Sequence, residues 1–348
     1  MIVDDFRSDT VTRPCKGMRA AMAAAEVGDA VYEDCPTTTR LEAMASERLG
    51  KEAALFFPTG TQANLAALMA HCGRGEEYIV GQMAHTYRLE GGGAAVLGSI
   101  QPQPLPNEPD GTIALDAIAN AIKPDDFHFA MTRLLALENT FNGLVLPDAY
   151  LQAATELARS RGLATHVDGA RLMNAAVASG RDAAWISSQF DTVSLCLSKG
   201  LGAPVGSILL GPKDFIAKAR RIRKMVGGGM RQTGVLAAAA IHALDHNVER
   251  LAEDHRRAAD LAAVLARYPA LGAGPARTNM VFITPQGIDS GAFVSFLRER
   301  GIAVGGRYGT LRWVTHLDLD DAAIERVAEA CEIFFEGMGS SAASAARA

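Results

Sequence analysis

The sequence is short of several things, and each shortage removes a class of protein. It holds five cysteines, Cys15, Cys35, Cys72, Cys196 and Cys331, in 348 residues. They are odd in number and scattered, and no two form a Cys-x-x-Cys pair, so neither a disulfide framework nor a zinc site is suggested and no metal is expected. A strong charge of one sign is lacking too. Against 34 basic residues stand 39 acidic ones, a net charge of −5, which argues against nucleic acid as the main partner. The basic run "KARRIRK" (218–224) reads as a helix face turned to solvent or to a subunit contact. No window approaches the roughly 18 to 20 continuous apolar residues that cross a bilayer. The N-terminal "MIVDDFRSDT" has neither the basic nor the apolar region of a signal peptide. There is no internal repeat. The expectation is a cytoplasmic protein with no membrane and no nucleic-acid partner.

What is present is ordinary globular usage, 49% hydrophobic and 21% charged, enough for a substantial core. After a polar, extended N-terminal segment, apolar strands and helical stretches alternate for about 200 residues. "AALFFPTG" (53–60), "EYIVGQ" (77–82), "RLLALENT" (133–140), "LATHVDGA" (163–170), "DTVSLCLS" (191–198) and "VGSILLG" (205–211) read as strands, as does the short apolar run "AAVLGSI" (94–100). Helices are expected over 61–72 and over 147–162, the second with Pro147 at its start and Gly162 past its end. Alternation of this kind implies a mostly parallel sheet covered on both faces. A helical pattern from Gly234 to Tyr268 reads as a bridge between domains. Beyond it lie a strand–helix–strand unit and a last helix. The expected organisation is a large domain over 1–245 that includes the N-terminal segment, a small α/β domain over 246–337, and a disordered tail over 338–348.

Sheets of this type bind ligands at the carboxyl ends of their strands, and four of those ends are unusual. At "FPTGTQAN" a strand passes into a helix through Thr59, Gly60 and Thr61. Such a junction is either an anion site or a plain glycine turn with a threonine cap. At "THVDGARL" a strand ends in Asp168, a helix cap or a buried anion aimed at a cation. Lys199 is the single charge in the apolar run "SLCLSKGLGAPVGS". It is a lysine that reaches water or one made nucleophilic by desolvation. His85, on a turn before the glycine-rich "LEGGGA", is a satisfied polar histidine or an aromatic platform. Separately each has its plain structural reading. Together they supply an amine for an aldehyde, a carboxylate for a pyridine nitrogen, a face for a flat ring and a cradle for a phosphate. Pyridoxal 5'-phosphate is the cofactor that needs all four.

Eight segments, "FRSDTVTRP", "EVGDAVY", "PTGTQANL", "GQMAHTYR", "HVDGARL", "CLSKGLGAPVGS", "KMVGGGMRQTG" and "LRWVTHLD", resemble in order and spacing the motifs of the low-specificity L-threonine aldolases. These belong to the aspartate-aminotransferase-like, fold type I pyridoxal-phosphate enzymes. The resemblance runs from about residue 5 to 335. It implies the fold type I architecture: a large domain with a mostly parallel mixed sheet and a small C-terminal α/β domain. It implies Lys199 as the covalent anchor of the cofactor, Asp168 as partner of the ring nitrogen and His85 as the stacking residue. Gly60, Thr61 and Ser198 would hold the phosphate, with Arg231 nearby or reaching across a subunit interface. Ser8, Arg171 and Arg312 would bind the substrate carboxylate, and His128 would stand near the substrate's β-hydroxyl. Arg307 is an alternative to Arg312, which is preferred for its match to the family position. Either His85 or His128, or a bound water, could remove the hydroxyl proton.

The implied reaction is reversible retro-aldol cleavage of L-threonine or L-allo-threonine to glycine and acetaldehyde, by a homotetramer arranged as a dimer of dimers. The alternative on the same fold is a β-eliminating lyase or an aminotransferase acting on a small amino acid. A non-catalytic scaffold is a further class, which would have no need of Lys199, Asp168 and Arg312 together. Three departures stand out: Leu89 where the family usually has an aromatic, Phe141 for a usual histidine, and "VYEDCP" for a common Gly-Glu-Asp-Pro.

Overall fold

The computed structural model describes the backbone of residues 2–307 and 309–345; the side chains of residue 307 and of those from 339 onward lie outside the described residues. The chain divides into two compact units, Pro14–Val248, and Met1–Arg13 together with Glu249–Ala348. In chain order the strands are β1 Asp4–Phe6, β2 Ala53–Phe57, β3 Glu76–Gly81, β4 Gln101–Leu105, β5 Met131–Glu138, β6 Ala164–Gly169, β7 Thr192–Cys196, β8 Ser207–Gly211, β9 Met280–Ile283, β10 Ile302–Arg307 and β11 Thr310–Val314.

The larger unit is built on a seven-stranded sheet of order β2-β8-β7-β6-β5-β3-β4. Strand β8 runs antiparallel to both neighbours, and the pairings from β7 to β4 are parallel. The central strands β7 and β8 are buried at every residue, as a sheet covered on both faces requires. That is why β8 reads as an apolar run rather than as an alternating one. One helix, Gly60–His71, buries seven of its twelve residues and contributes to two apolar clusters, one with Leu55, Phe57 and Leu209, the other with Tyr78, Val80 and Leu134. A helix apolar nearly all round sits inside a protein rather than on its surface.

Two expectations differ from the structure. Residues of "AAVLGSI" form a short helix, Gly93–Val96, and the strand of that region is β4, "QPQPL". Its prolines hide it from a propensity reading, and they are tolerated because β4 lies at the sheet edge. The long helical pattern is two helices, Gly234–His246 and Leu251–Ala266. The first ends where the Asn247 side chain donates to the Leu201 carbonyl at 2.8 Å. The division into units falls in the same gap, after Val248.

The smaller unit carries a four-stranded sheet of order β1-β10-β11-β9. Expected with the large domain, the N-terminal segment belongs here, because β1 pairs in parallel with β10. It brings Phe6 into a core with Trp313, Phe293 and Val281, the Phe6 and Trp313 ring centroids 5.3 Å apart. Strand β10, in "GIAVGGR", was absent from the sequence reading because its glycines carry little strand propensity. The last helix runs from Asp321 to Ala345, past the expected end at 337. It continues through Gly337, which lowers helix propensity without ending the helix. Among the described residues no helix is long and apolar enough to cross a membrane.

Candidate active site

Strand register places three polar side chains abreast at the carboxyl ends of β5, β6 and β7: Glu138 is opposite Asp168, and Asp168 is opposite Ser194. The approach is close. A Cβ on Gly169 would stand 2.4 Å from the Ser194 carbonyl oxygen, so only glycine lets β6 lie this near β7 as it turns out of the sheet. Asp168 is buried at 3% exposure. One carboxylate oxygen accepts from the Ala170 N–H at 3.0 Å and the other from Asn64 Nδ2 at 2.9 Å.

Asn64 stands on the buried helix Gly60–His71 and is itself 2% exposed. Its Nδ2 also donates to Glu90 Oε1 at 2.9 Å, and that oxygen lies 2.8 Å from His85 Nδ1. His85 opens the short helix His85–Arg88, and its backbone N–H donates to Glu138 Oε2 at 2.8 Å. The result is a closed set: His85 is held by Glu90 through its ring and by Glu138 through its backbone. Ligand atoms of His85, Glu90 and Asp168 all lie within 4.8 Å of one another, the spacing of a metal site. The Glu90 oxygen used by His85 is also the one used by Asn64.

Electrostatics follow from crowding acids in a dry place. The hydrogen bond to Glu90 raises the His85 pKa, against the effect of burial, and the nearby Asp168 charge adds to the rise. Burial, then the Asp168 charge, push the Glu138 carboxyl up to about 7. Glu90 is also raised, first by burial. The Lys199 charge opposes the rise at both His85 and Glu138, which places the amine within their electrostatic reach. Lys199 follows β7, is half-buried, and lines a small cleft with Arg171, Asn174 and Cys196.

The remaining expected residues sit as follows. Gly60 and Thr61 are the first residues of the helix whose cap, Thr59, accepts from the Gln62 N–H at 3.1 Å. Ser198 Oγ lies 3.5 Å from Cys196 Sγ. Arg231 is exposed and pairs with Asp29 at 3.0 Å. His128 is not drawn into the buried set; it is exposed, bonded to Asp126 at 2.7 Å with its ring 3.9 Å from that of Phe127. In the smaller unit Ser8 caps a single 3-10 turn, accepting from the Thr10 N–H at 3.3 Å, and an Arg312 nitrogen donates to the Arg7 carbonyl at 3.3 Å. The Arg307 side chain lies outside the described residues.

Each departure has a local role. Leu89 is half-exposed at the end of the His85 helix. Phe141 is buried against Gly111, where a Cβ would meet its ring at 2.9 Å. Buried Cys35 is the N-cap position of the helix Pro36–Leu49, with proline at its first turn.

The donor set suits pyridoxal phosphate on structural grounds alone. A buried carboxylate is available for a protonated ring nitrogen, and an amine and an imidazole lie within reach of the same charges. The free N–H groups of a twelve-residue helix point out beside Gly60. A Cβ at Gly60 would come no closer than 4.0 Å to another heavy atom, so that terminus is open. A family profile described as beta-eliminating lyase matches residues 5–287. The low specificity L-threonine aldolase of Escherichia coli K12 is 55% identical over 93% of this chain and 97% of its own.

The chain belongs to the low-specificity L-threonine aldolases, within the beta-eliminating lyase family.

A probable low-specificity L-threonine aldolase of Arabidopsis thaliana is 44% identical over 95% of this chain and 97% of its own. The threonine aldolase of Leishmania major has a TM-score of 0.81 at 22% identity, covering 95% of this chain and 99% of that one. A serine palmitoyltransferase of Sphingomonas wittichii scores 0.74 at 19% identity, over 98% of this chain and 88% of that one. Both share the fold type I architecture with this family, as the sequence implied. Asn64, Glu90 and Glu138 were missed in the sequence. Glu138 had the signal that picked out Asp168, an acid at a strand's carboxyl end, in "LALENT". Asn64 was a lone amide in the apolar helix "TQANLAALMA".

Proposed function

We propose that the protein is a pyridoxal-phosphate-dependent aldolase that cleaves L-threonine and L-allo-threonine to glycine and acetaldehyde. The observation that carries this reading is the identity of 55% over nearly the whole chain, joined to a buried carboxylate, imidazole and amine that suit the cofactor. Pyridoxal phosphate bound here would supply an electron sink for a bond broken at the amino acid's α-carbon. The residues of this chain do the rest. Lys199 would supply the anchoring amine. Asp168 would pair with the ring nitrogen, and His85 would stack on the ring. Gly60, Thr61 and Ser198 would hold the phosphate, with Arg231 contributing to the same anion.

Arg171, Arg312 and Ser8 grip the substrate carboxylate, and charge-assisted bonds to the arginines orient the amino acid so that Cα–Cβ is the bond that breaks. The β-hydroxyl proton passes to a base, for which His85, His128 and a bound water are the candidates. The aldehyde leaves, and a proton returned to Cα completes glycine. We place the enzyme in the cytoplasm as a homotetramer, a dimer of dimers, with a small amino acid as its partner and neither nucleic acid nor membrane.

The test is incubation of the holoenzyme with L-threonine and with L-allo-threonine, measuring glycine and acetaldehyde for each. Stoichiometric glycine and aldehyde are expected. A keto acid, with or without ammonia, would transfer the assignment to an aminotransferase or a β-eliminating lyase.

A further inference from the structure

Behind Asp168 lies a run of buried polar groups that the reaction above does not use. Asn64 Nδ2 stands 2.9 Å from both Asp168 Oδ2 and Glu90 Oε1. Facing two acceptors, this end of the amide is the NH2, so its oxygen points the other way. There Ser194 Oγ donates to it at 2.7 Å, and His166 Nε2 stands at 3.5 Å. The set is satisfied with the His166 proton assigned to Nε2 and its Nδ1 accepting. Thr192 Oγ1 is 2.9 Å from that Nδ1 and 2.7 Å from His71 Nε2. Having given its one proton to His166, Thr192 must accept from His71. Both imidazoles are neutral, since burial pushes His71 down to about 4 and His166 to about 3.

We propose that Asn64 is a positioning residue for the cofactor's counter-ion, the last link of a buried donor chain that runs His71, Thr192, His166, Asn64, Asp168. In that assignment each bridging N–H and O–H points toward the carboxylates. Asn64 divides its two protons between Asp168 and Glu90, so that one amide sets both the acid facing the ring nitrogen and the acid facing His85. Ser194 and His166 prevent that amide from turning over, which would aim an oxygen at two acids. Aligned donors reinforce one another.

This inference rests on the reading of Asp168 as partner of the ring nitrogen. Its test is Asn64→Leu, which keeps the volume and removes both donors, beside Ser194→Ala, which only frees the amide to turn. Binding of pyridoxal phosphate to the apoprotein, kcat and KM for L-threonine, and apoprotein Tm are measured for each. Asn64→Leu should weaken cofactor binding and lower kcat by about tenfold or more, with KM moved less than about threefold. Ser194→Ala should shift the same two quantities in the same direction, by less. Cofactor binding and kcat within about twofold of wild type in both folded variants would overturn the proposal. If Asn64→Leu does not fold, Ser194→Ala decides alone. Failure of the wild-type protein to bind the cofactor or form glycine would instead overturn the functional reading and this inference with it.

Discussion

Lys199 is the residue on which the proposed chemistry depends, and its test is direct. Lys199→Ala should abolish both the visible absorbance of the loaded protein and its activity, because no other group described at this site offers an amine. Arg312→Ala should raise KM for L-threonine by about tenfold or more, the loss expected when a charge-assisted contact to a carboxylate goes; an unchanged KM would move that role to Arg307. Glu138 permits a prediction with a definite sign. Its folded-state pKa is raised to about 7 from an ordinary 4.5. Between those values the folded protein holds a proton that the unfolded chain has released, so this residue's contribution to stability is lost as pH rises through the window. Glu138→Gln keeps an acceptor for the His85 N–H and removes the titration. The apoprotein Tm of the variant relative to wild type should therefore increase from about pH 5 to about pH 8, and a constant difference would count against the assigned shift.

At the scale of elements, the site depends on how near β6 lies to β7. Gly169→Ala would drive a methyl into the Ser194 carbonyl at 2.4 Å and toward Leu172 at 3.2 Å. Backbone cannot yield as a side-chain tip can, so the substitution should cost about 1–3 kcal/mol. Thermal unfolding of the apoprotein should show it as a Tm lowered by several degrees, together with weaker cofactor binding, since Asp168 is the preceding residue. The elements were read from the sequence with uneven success, for physical reasons. Strand β8 was legible because burial on both faces makes it nearly all apolar, and β5 because residues 134–137 form a buried apolar run. Strand β4 was hidden by Pro102 and Pro104, which only an edge position accommodates. The break between Gly234–His246 and Leu251–Ala266 carries no proline or glycine, and what marks it is a tertiary bond, Asn247 to Leu201.

At the scale of the whole molecule, the prediction concerns assembly. His128 and Arg231 are exposed, and Phe127 beside His128 is 93% exposed. Groups assigned to substrate and phosphate are thus held outside the buried cluster in a single chain, as expected if a second copy completes the site. Light scattering on the purified holoenzyme should give the mass of a tetramer. A monomer with full activity would remove the subunit interface from the account. Phe127→Ala, which removes this exposed ring, should weaken association and lower activity in parallel.

The sequence by itself determined the chemistry's vocabulary. An amine in an apolar run, an acid at a strand end, a glycine–threonine turn and a histidine are each local signals, and their order along the chain is enough to name a cofactor and a family. Tertiary structure decided how those groups are held. Asn64, Glu90, Glu138, Ser194, His166, Thr192 and His71 come from several elements, and nothing in their sequence spacing announces that they meet. Buried polar groups must find partners wherever the fold brings them, so the network around Asp168 exists only once β5, β6 and β7 lie abreast over the helix that carries Asn64.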